Sequence, residues 1–311
     1  MKALVAPSYG PLDQLVVTDV PKPAPGPGQI LVRVETAALN PLDAALVVGA
    51  MREMMPVEHP FVVGMDASGV VEAVGEGVTG YAAGDEVLAY THFHPGTIAE
   101  YTLVTEGPDV APRPAGLDAA RAAALVSTSL TGECVLDAVA GETGQTLLVI
   151  GATGGVGSFV VQLASRAGLR VLATAAPADA EYVRGLGASE VIDYTAVDTL
   201  KEALRLAPDG VDAVVDLISR GPALAGTAAA VKEGGRLVST LMGPTEFERG
   251  VTVTYVRMAT RDGRLGALAE RVLSGDLSVE VTATYPLSDA PKALAEFAAG
   301  RYTRGKVVVT V

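Results

Sequence analysis

The chain has 311 residues, which is too long for one ordinary hydrophobic core and fits two domains. Its hydrophobic content of 49% excludes global disorder, and its net charge of −13 argues against nucleic acid as a partner. The single cysteine, Cys134, excludes an internal disulfide and a zinc site built from several cysteines.

The start of the chain is typical of a first β-strand. Residues 1–5 lead directly into Pro7 and Gly10, without the apolar run of a signal peptide. No stretch approaches the roughly 18 apolar residues that a membrane span needs. We therefore expect a soluble, cytoplasmic protein that associates with no membrane.

The first part of the chain, to about residue 114, is rich in valine, glycine and proline. Residues 30–34 and 70–74 are typical of short strands, and residues 25–28 and 75–77 carry turn signals. This spacing predicts a small, mostly antiparallel β-domain.

From about residue 117 the pattern changes to alternating strands and helices. Residues 119–138 are alanine-rich and predict a helix, and the apolar run Thr146–Ile150 predicts a buried parallel strand. Further strands are predicted at 171–174, 191–193, 213–216 and 236–239, with helices at 158–167 and 180–186. The repeated strand–helix order predicts a doubly wound parallel sheet. Residues 305–311 are a separate β-like run at the end of the chain.

The most informative segment is the glycine loop that follows the strand Thr146–Ile150 and opens the next helix. Glycines let a backbone turn tightly beside a pyrophosphate, and the helix start offers free N–H groups to the anion. The dinucleotide pattern is met at its second and third glycines but not at its first. A purely structural turn is the alternative. The candidate dinucleotide-binding residues are Ala152, Thr153, Gly154, Gly155, Val156 and Gly157, together with Thr174 at the end of the next strand.

Several motifs occur in the order found in a known family. They are the glycine loop at 152–157, an N-P-x-D segment at 40–43, a G-x-D-x-x-G-x-V segment at 64–71, and the segments 84–87, 96–101 and 305–308. With them the chain resembles the zinc-free quinone oxidoreductase branch of the medium-chain dehydrogenase/reductase superfamily. The resemblance spans nearly the whole chain.

The resemblance implies a GroES-like β-domain and a Rossmann domain. Residues 1–114, completed by about 276–311, would form the first, and residues 115–275 would form the second. It also implies no zinc, because Asn40 and the pair Met65 and Asp66 stand where zinc-dependent relatives carry ligands. These residue types do not supply the converging donors that zinc requires.

His92 and His94 permit another metal site. They would lie on the same side of an extended strand, although no third donor is evident nearby. The alternatives are polar loop residues or contacts to a substrate.

The cofactor is expected to be NADP(H). No acidic residue ends the strand that finishes at Thr174, where NAD-binding proteins carry one, yet no lysine or arginine lies nearby to hold a 2′-phosphate. The resemblance implies that Tyr194 lies near the adenosine, that Arg301 reaches the phosphate and that Thr131 lies beside the cofactor. A packed strand end, a solvated charge and helix packing are the respective alternatives.

Without a metal, hydride transfer needs a carbon already activated by a carbonyl group, as in quinones and α,β-unsaturated carbonyl compounds. The resemblance places Asn40 near the nicotinamide, which makes it the candidate hydrogen-bond donor to substrate. Some relatives carry a tyrosine shortly after this asparagine, but here Ala45 stands there, so water is a possible proton source. Asp43 and Asp66 fit structural roles equally well.

Two functions remain open on the sequence alone. The first is a reductase of small-molecule quinones, enones, 2-alkenals or enoyl compounds, and the second is a non-catalytic NADP(H)-binding protein of the crystallin-like type. A zinc alcohol dehydrogenase is a weaker third. The resemblance also implies a homodimer that pairs through residues 250–258, which are β-branched and free of proline.

Overall fold

The computed structural model describes every residue from Met1 to Val311. The strands, in chain order, are β1 (Lys2–Ala6), β2 (Val16–Asp19), β3 (Gln29–Ala38), β4 (Phe61–Val62), β5 (Asp66–Val74), β6 (Glu86–Tyr90), β7 (Tyr101–Thr105), β8 (Val110–Pro112), β9 (Thr146–Ile150), β10 (Arg170–Thr174), β11 (Glu190–Ile192), β12 (Val211–Asp216), β13 (Val231–Ser239), β14 (Thr252–Tyr255), β15 (Val281–Pro286) and β16 (Lys306–Thr310). The α-helices are α1 (Pro41–Val47), α2 (Ala119–Val139), α3 (Gly155–Arg166), α4 (Ala180–Gly185), α5 (Thr199–Leu206), α6 (Pro222–Thr227), α7 (Arg264–Leu273) and α8 (Ala290–Ala298).

The chain divides into two compact units. The first comprises Met1–Ser127 with Thr260–Val311, and the second comprises Thr128–Ala259. The sequence placed these boundaries near residues 114 and 275. The difference arises because composition changes where α2 begins, whereas the contacts divide in the middle of that continuous helix. In addition, α7 packs against β8 of the first unit.

The first unit is built on a seven-stranded, mostly antiparallel sheet. Its order is β15-β16-β3-β5-β6-β8, and β7 also pairs with β3. The tail forms β16, which runs antiparallel to β3 with Val308 opposite Ala38. Val307, Val308 and Val309 are fully buried, because the tail strand packs into the core on both faces. The predicted β-domain is confirmed, and the tail strand pairs with its sheet.

The second unit is a six-stranded sheet in which every pair is parallel, in the order β11-β10-β9-β12-β13-β14. The winding reverses between β9 and β12, which makes their carboxyl ends the switch point of a doubly wound sheet. Helices cover both faces of the sheet, so Leu147, Leu148 and Val149 of β9 are all fully buried. The predicted Rossmann sheet is confirmed.

One helix, α2, has the length and composition to span a membrane, contrary to our expectation that no segment would. Its most apolar 18-residue window is 67% buried within the protein. Core helices of soluble proteins meet the same criteria, so this helix is weak support for a membrane span.

Candidate active site

The glycine loop joins β9 to α3 at the switch point of the parallel sheet. Residues 151–154 form a turn, and α3 begins at Gly155, three residues earlier than predicted. Gly151 has a φ of +86°, a conformation that favours glycine. The loop therefore turns sharply enough to bring the start of α3 to the end of β9.

Gly154 and Gly157 have different structural roles in the loop. A Cβ at Gly157 would lie 2.1 Å from the carbonyl oxygen of Gly151 and 2.9 Å from the Cα of Ala152. A Cβ at Gly154 would meet only the Gly151 oxygen, at 3.7 Å. Gly157 is therefore required for the helix to pack on the loop, whereas Gly154 faces open space.

The features around this loop fit a dinucleotide. The N-cap of α3 is Gly154, so no side chain caps the N–H groups of the first turn, which together with the helix dipole favour an anion. Ile218, after β12, is 64% exposed, and Met242, after β13, is 57% exposed. These two exposed side chains form an apolar surface at the carboxyl edge of the sheet, which suits the packing of a ring of the dinucleotide.

Three other predicted cofactor residues lie in the second unit. Thr174 is buried, and its hydroxyl accepts the Gly151 N–H at 3.1 Å, so it fixes the glycine loop. Tyr194 follows β11 and is 49% exposed. Thr131 on α2 adjoins Gly132, whose Cβ position would lie 2.8 Å from Phe159 of α3. Contact of each with a cofactor stays a prediction.

Arg301 lies in the first unit, in the segment before β16. Its guanidinium donates to Glu296 Oε1 at 2.5 Å, and its side chain is 61% exposed. A 2′-phosphate would therefore have to replace an existing carboxylate partner. The predicted phosphate contact of Arg301 stays a prediction.

Asp216 is a functional candidate that the sequence reasoning missed. It ends β12 opposite Ile150, the residue before the glycine loop, and is fully buried. Its Oδ1 accepts the N–H groups of Ile218 and Ser219, while its Oδ2 has no hydrogen-bond partner. An acidic residue that closes an apolar strand at the switch point was the available signal.

The first unit contains a buried polar cluster made of Asn40, Asp43, Asp66, Ser127 and Lys306. Asn40 precedes α1, Asp43 lies in its first turn, Asp66 starts β5, Ser127 lies on α2 and Lys306 starts β16. Each is at most 9% exposed. The fold thus brings five polar side chains from four elements into one apolar interior.

Hydrogen bonds join the members of this polar cluster. The Lys306 ammonium donates to Asn40 Oδ1 at 2.7 Å and to the Leu39 carbonyl at 2.6 Å, and it lies 3.7 Å from Asp66 Oδ2. The Ser127 hydroxyl lies 2.6 Å from Asp66 Oδ2 and 3.1 Å from Asn40 Oδ1. The Asn40 backbone N–H donates to Asp43 Oδ2 at 2.7 Å.

The side chain of Asn40 has protein partners at both ends, and its predicted contact with a substrate stays a prediction. Its Nδ2 donates to Asp66 Oδ2 at 2.9 Å and faces the Ala38 carbonyl at 3.4 Å, while its Oδ1 accepts from Lys306. The opposite amide orientation would set an NH₂ group against an ammonium. Asn40 therefore joins Lys306 to Asp66 within the polar cluster.

The polar cluster buries two carboxyl groups and one ammonium. Fully ionised, it would carry a net charge of −1 away from water, which is unfavourable. Burial raises the pKa of Asp43 to about 7, although the Asn40 N–H opposes the shift. Burial also raises the pKa of Asp66 against the effect of Lys306, and lowers the pKa of Lys306. Asp43 therefore exchanges its proton close to neutral pH.

This burial predicts a pH-dependent stability. The folded-state pKa of Asp43 lies above its unfolded value, so its contribution is complete below about pH 4 and is lost as pH rises to about 7. A shift of about three units corresponds to ~4 kcal/mol in the free energy of unfolding. Urea unfolding at several pH values should show the decline in the wild type and a flatter profile in Asp43→Asn. The exposed Asp13→Asn is the control, and equal slopes in all three proteins would contradict the assignment.

The two histidines do not share a ligand site, and they lie on a turn, as the interpretation as polar loop residues expects. Residues 91–94 form a turn in which the His94 N–H donates to the Thr91 carbonyl at 3.1 Å. His92 and Phe93 have φ values of 50° and 59°, which are costly for residues with a side chain. His92 Nε2 lies 3.0 Å from Asp109, whereas the His94 ring packs against Phe93.

The positions that bind zinc in zinc-dependent relatives carry other types of residue here. Met65 is buried, and Asn40 and Asp66 surround the Lys306 ammonium. Across the chain, no three His, Cys, Asp or Glu side chains converge as a metal site. The donor set therefore does not fit a catalytic zinc, because a cation already occupies the cluster.

Ser127 and Lys306 were given no role by the sequence reasoning. The signal for Lys306 was a charge in an apolar tail strand, which needs a buried partner. The signal for Ser127 was a hydroxyl in the apolar run of α2. Neither residue is near its partners in sequence, so only the fold shows the polar cluster.

Comparisons with known proteins match two families over much of the chain. An alcohol dehydrogenase GroES-like domain family matches residues 26–115, and a zinc-binding dehydrogenase family matches residues 186–309. The chloroplast envelope quinone oxidoreductase homolog of Arabidopsis thaliana is 33% identical over 328 residues, covering 99% of this chain and 98% of that protein. The chloroplastic NADPH-dependent alkenal/one oxidoreductase of the same plant is 36% identical over 250 residues, covering 77% and 62%.

Among solved structures, an NAD-dependent alcohol dehydrogenase superposes with a TM-score of 0.89 and 32% identity, covering 100% of both chains. Proteins named for different cofactors and different substrates therefore share this fold. The choice between NAD and NADP does not follow from the fold.

The prediction of a cytoplasmic protein is wrong in light of these relatives. The most similar sequences include chloroplast-envelope, chloroplastic and mitochondrial proteins. Those names point to an organelle.

Proposed function

The chain belongs to the quinone oxidoreductase-like branch of the medium-chain dehydrogenase/reductase superfamily, and on that premise we propose that it transfers hydride from NADPH to a quinone or an α,β-unsaturated carbonyl compound. That it is an NAD(P)H-dependent oxidoreductase of the quinone or enone type follows from its relatives. The non-catalytic crystallin-like alternative is not favoured, because those relatives are named oxidoreductases.

The choice of substrate class rests on one observation. In the polar cluster, the Lys306 ammonium contacts Asn40 and Asp66, the positions that bind zinc in zinc-dependent relatives. Without a Lewis acid, a simple ketone lacks polarisation, whereas a conjugated carbonyl group activates its own β-carbon. The proposal therefore includes independence from zinc.

Different residues of the chain would bind the cofactor and position the polar groups of the first unit. The start of α3 and the residues 152–157 would hold the pyrophosphate, and Thr174 keeps Gly151 in place. NADPH, when bound, supplies the hydride. In the first unit, Asn40 and Lys306 orient the polar cluster, which exchanges a proton close to neutral pH.

The direct test is NADPH oxidation with a panel of quinones, enones, 2-alkenals and simple ketones, in the presence of a chelator. We expect turnover of the conjugated carbonyl compounds only. Turnover of simple alcohols or ketones, or loss of activity together with about one zinc per chain, would contradict the proposal.

NADPH is proposed over NADH, with Arg301 as a phosphate contact. No carboxylate follows β10 directly, since Ala175 and Ala176 stand there. Because the phosphate must displace Glu296, we expect Arg301→Ala to weaken NADPH binding by about 10-fold, the low end for a charged hydrogen bond. Calorimetry should show no change for NADH.

Two variants serve as controls for this prediction. Arg304→Ala, which removes a guanidinium paired with Glu280, should leave both affinities unchanged. Glu296→Gln should tighten NADPH binding, because it releases Arg301 from its ion pair. Tighter binding of NADH than of NADPH by the wild type would refute the cofactor choice.

We also propose a homodimer through β14. This strand ends the sheet order of the second unit, so one side of its backbone lacks a partner strand. Pairing across a two-fold axis would satisfy both copies and close the assembly. Light scattering should give a dimeric mass for the wild type and a monomeric mass for Thr254→Pro. A monomeric wild type, or a dimeric mass for Thr254→Pro, would contradict the proposal.

A further inference from the structure

Asp216 is a buried carboxyl group that no cation of the protein neutralises. It is fully buried, and its Oδ2 has no hydrogen-bond partner. Its Oδ1 accepts the backbone N–H groups of Ile218 at 2.9 Å and Ser219 at 2.8 Å, and such hydrogen bonds favour the ionised carboxylate. A buried charge is costly unless a countercharge lies nearby. The unpaired carboxylate therefore indicates a cationic partner from outside the protein.

Asp216 lies beside the glycine loop, within the second unit. It is the last residue of β12 and pairs with Ile150, the residue before the loop. Ile218, whose N–H donates to Asp216, packs on the loop, since its Cγ1 lies 2.9 Å from the position of a Cβ on Gly151. A ligand held by the glycine loop therefore comes close to the Asp216 carboxylate.

The nicotinamide half of a dinucleotide is expected on this side of the loop. In doubly wound sheets, the adenosine ribose meets the end of the strand that follows the loop, which is β10 here. In the sheet, β10 and β12 flank β9 on opposite sides. The other half of the dinucleotide therefore extends toward β12 and β13, where the exposed side chains of Ile218 and Met242 lie.

The charge of a nicotinamide ring depends on its oxidation state. The reduced ring is neutral. When a hydride leaves with its electron pair and forms the new bond to the acceptor carbon, the ring is left with one positive charge. The phosphate groups carry the same charge in both states, so their repulsion from a carboxylate does not distinguish the oxidised cofactor from the reduced one.

Building on the proposed function, we infer that the Asp216 carboxylate stabilises the positive charge that the nicotinamide ring acquires as its hydride leaves. Water is excluded from Asp216, so the field of the carboxylate is weakly screened. The carboxylate thereby favours binding of the oxidised cofactor and makes bound NADPH a stronger hydride donor. The alternative is that Asp216 only holds the turn at Ile218 and Ser219.

The variant Asp216→Asn separates these two roles, because an amide oxygen can still accept both N–H groups but carries no charge. Calorimetry measures the dissociation constants of NADP⁺ and NADPH without turnover. We expect the ratio of the first constant to the second to rise by about 10-fold, as for unit charges roughly 10 Å apart at an effective dielectric constant of about 20. A tenfold change raises the potential of the bound cofactor by about 30 mV. A purely structural role predicts an unchanged ratio.

Two controls accompany this measurement. Asp193→Asn alters the same kind of turn after β11, where Asp193 Oδ1 accepts the Thr195 N–H at 2.9 Å, and should leave the ratio unchanged. The ligand 2′-phospho-ADP-ribose, which lacks the nicotinamide ring, should bind to Asp216→Asn no more weakly than to the wild type. If Asp216→Asn does not fold, Asp216→Ser takes its place, because a hydroxyl can also accept an N–H group.

The outcomes separate this inference from the proposed function. A wild type that binds both NADP⁺ and NADPH, with the same or a lower ratio in the uncharged variant, overturns the role of Asp216 alone. A wild type that binds neither form overturns the proposed function and this inference together.

Discussion

Lys306→Met is expected to lower the free energy of unfolding by about 3–5 kcal/mol at pH 7, as for removal of one partner from a buried ion pair. Lys306 is 4% exposed and donates to Asn40 and to the Leu39 carbonyl. Its removal leaves Asp43 and Asp66 buried without a cation. The loss should shrink as pH falls below about 7, because Asp43 then takes up a proton.

Urea unfolding at pH 5 and pH 7 measures this effect. Lys22→Met is the control, since its ammonium bonds Glu72 at the surface and its loss should give no resolvable change. A destabilisation that is small, or that grows at low pH, would show that Lys306 does not neutralise the buried carboxyl groups.

Gly157→Ala is expected to abolish dinucleotide binding, with a loss of at least about 100-fold in affinity, equivalent to ~2.8 kcal/mol. The added Cβ would lie 2.1 Å from the backbone oxygen of Gly151, so the loop or α3 must move. Gly154→Ala is the matched control, because its Cβ has no close contact in the protein. We expect Gly154→Ala to keep the wild-type stability and to lose less affinity.

Fluorescence titration with NADPH, alongside circular dichroism, distinguishes these variants. Wild-type affinity in a folded Gly157→Ala protein would show that the close packing of loop and helix does not control binding. If Gly157→Ala does not fold, Gly154→Val takes its place as the test. Its side chain fills the open side of the loop, so it should weaken NADPH binding in a folded protein.

Much of the second unit could be predicted because its signals are local. The strand Thr146–Ile150 was predicted to the residue, since an unbroken apolar run between turn signals matches a strand buried on both faces. The glycine loop was recognised because its spacing reflects a backbone contact, now seen between Gly157 and Gly151. The antiparallel character of the first unit followed from short strands separated by turns.

The polar cluster could not be predicted, because its members lie between residue 40 and residue 306 and share no local pattern. The positive φ values of His92 and Phe93 could not be predicted for a different reason. Positive φ values are typical of glycine and asparagine, and a His-Phe pair gives no such signal. The domain boundary inside α2 was missed because a continuous helix shows no break in composition where its contacts divide.

The proposed reaction is tested most directly by following deuterium from NADPH that carries deuterium at both C4 positions into the product of enone reduction, using chelator-treated protein. We predict that the label appears on the β-carbon, one deuterium for each NADPH consumed, with no metal added. Product without label, or transfer only after zinc is restored, would contradict metal-free hydride transfer to an activated alkene.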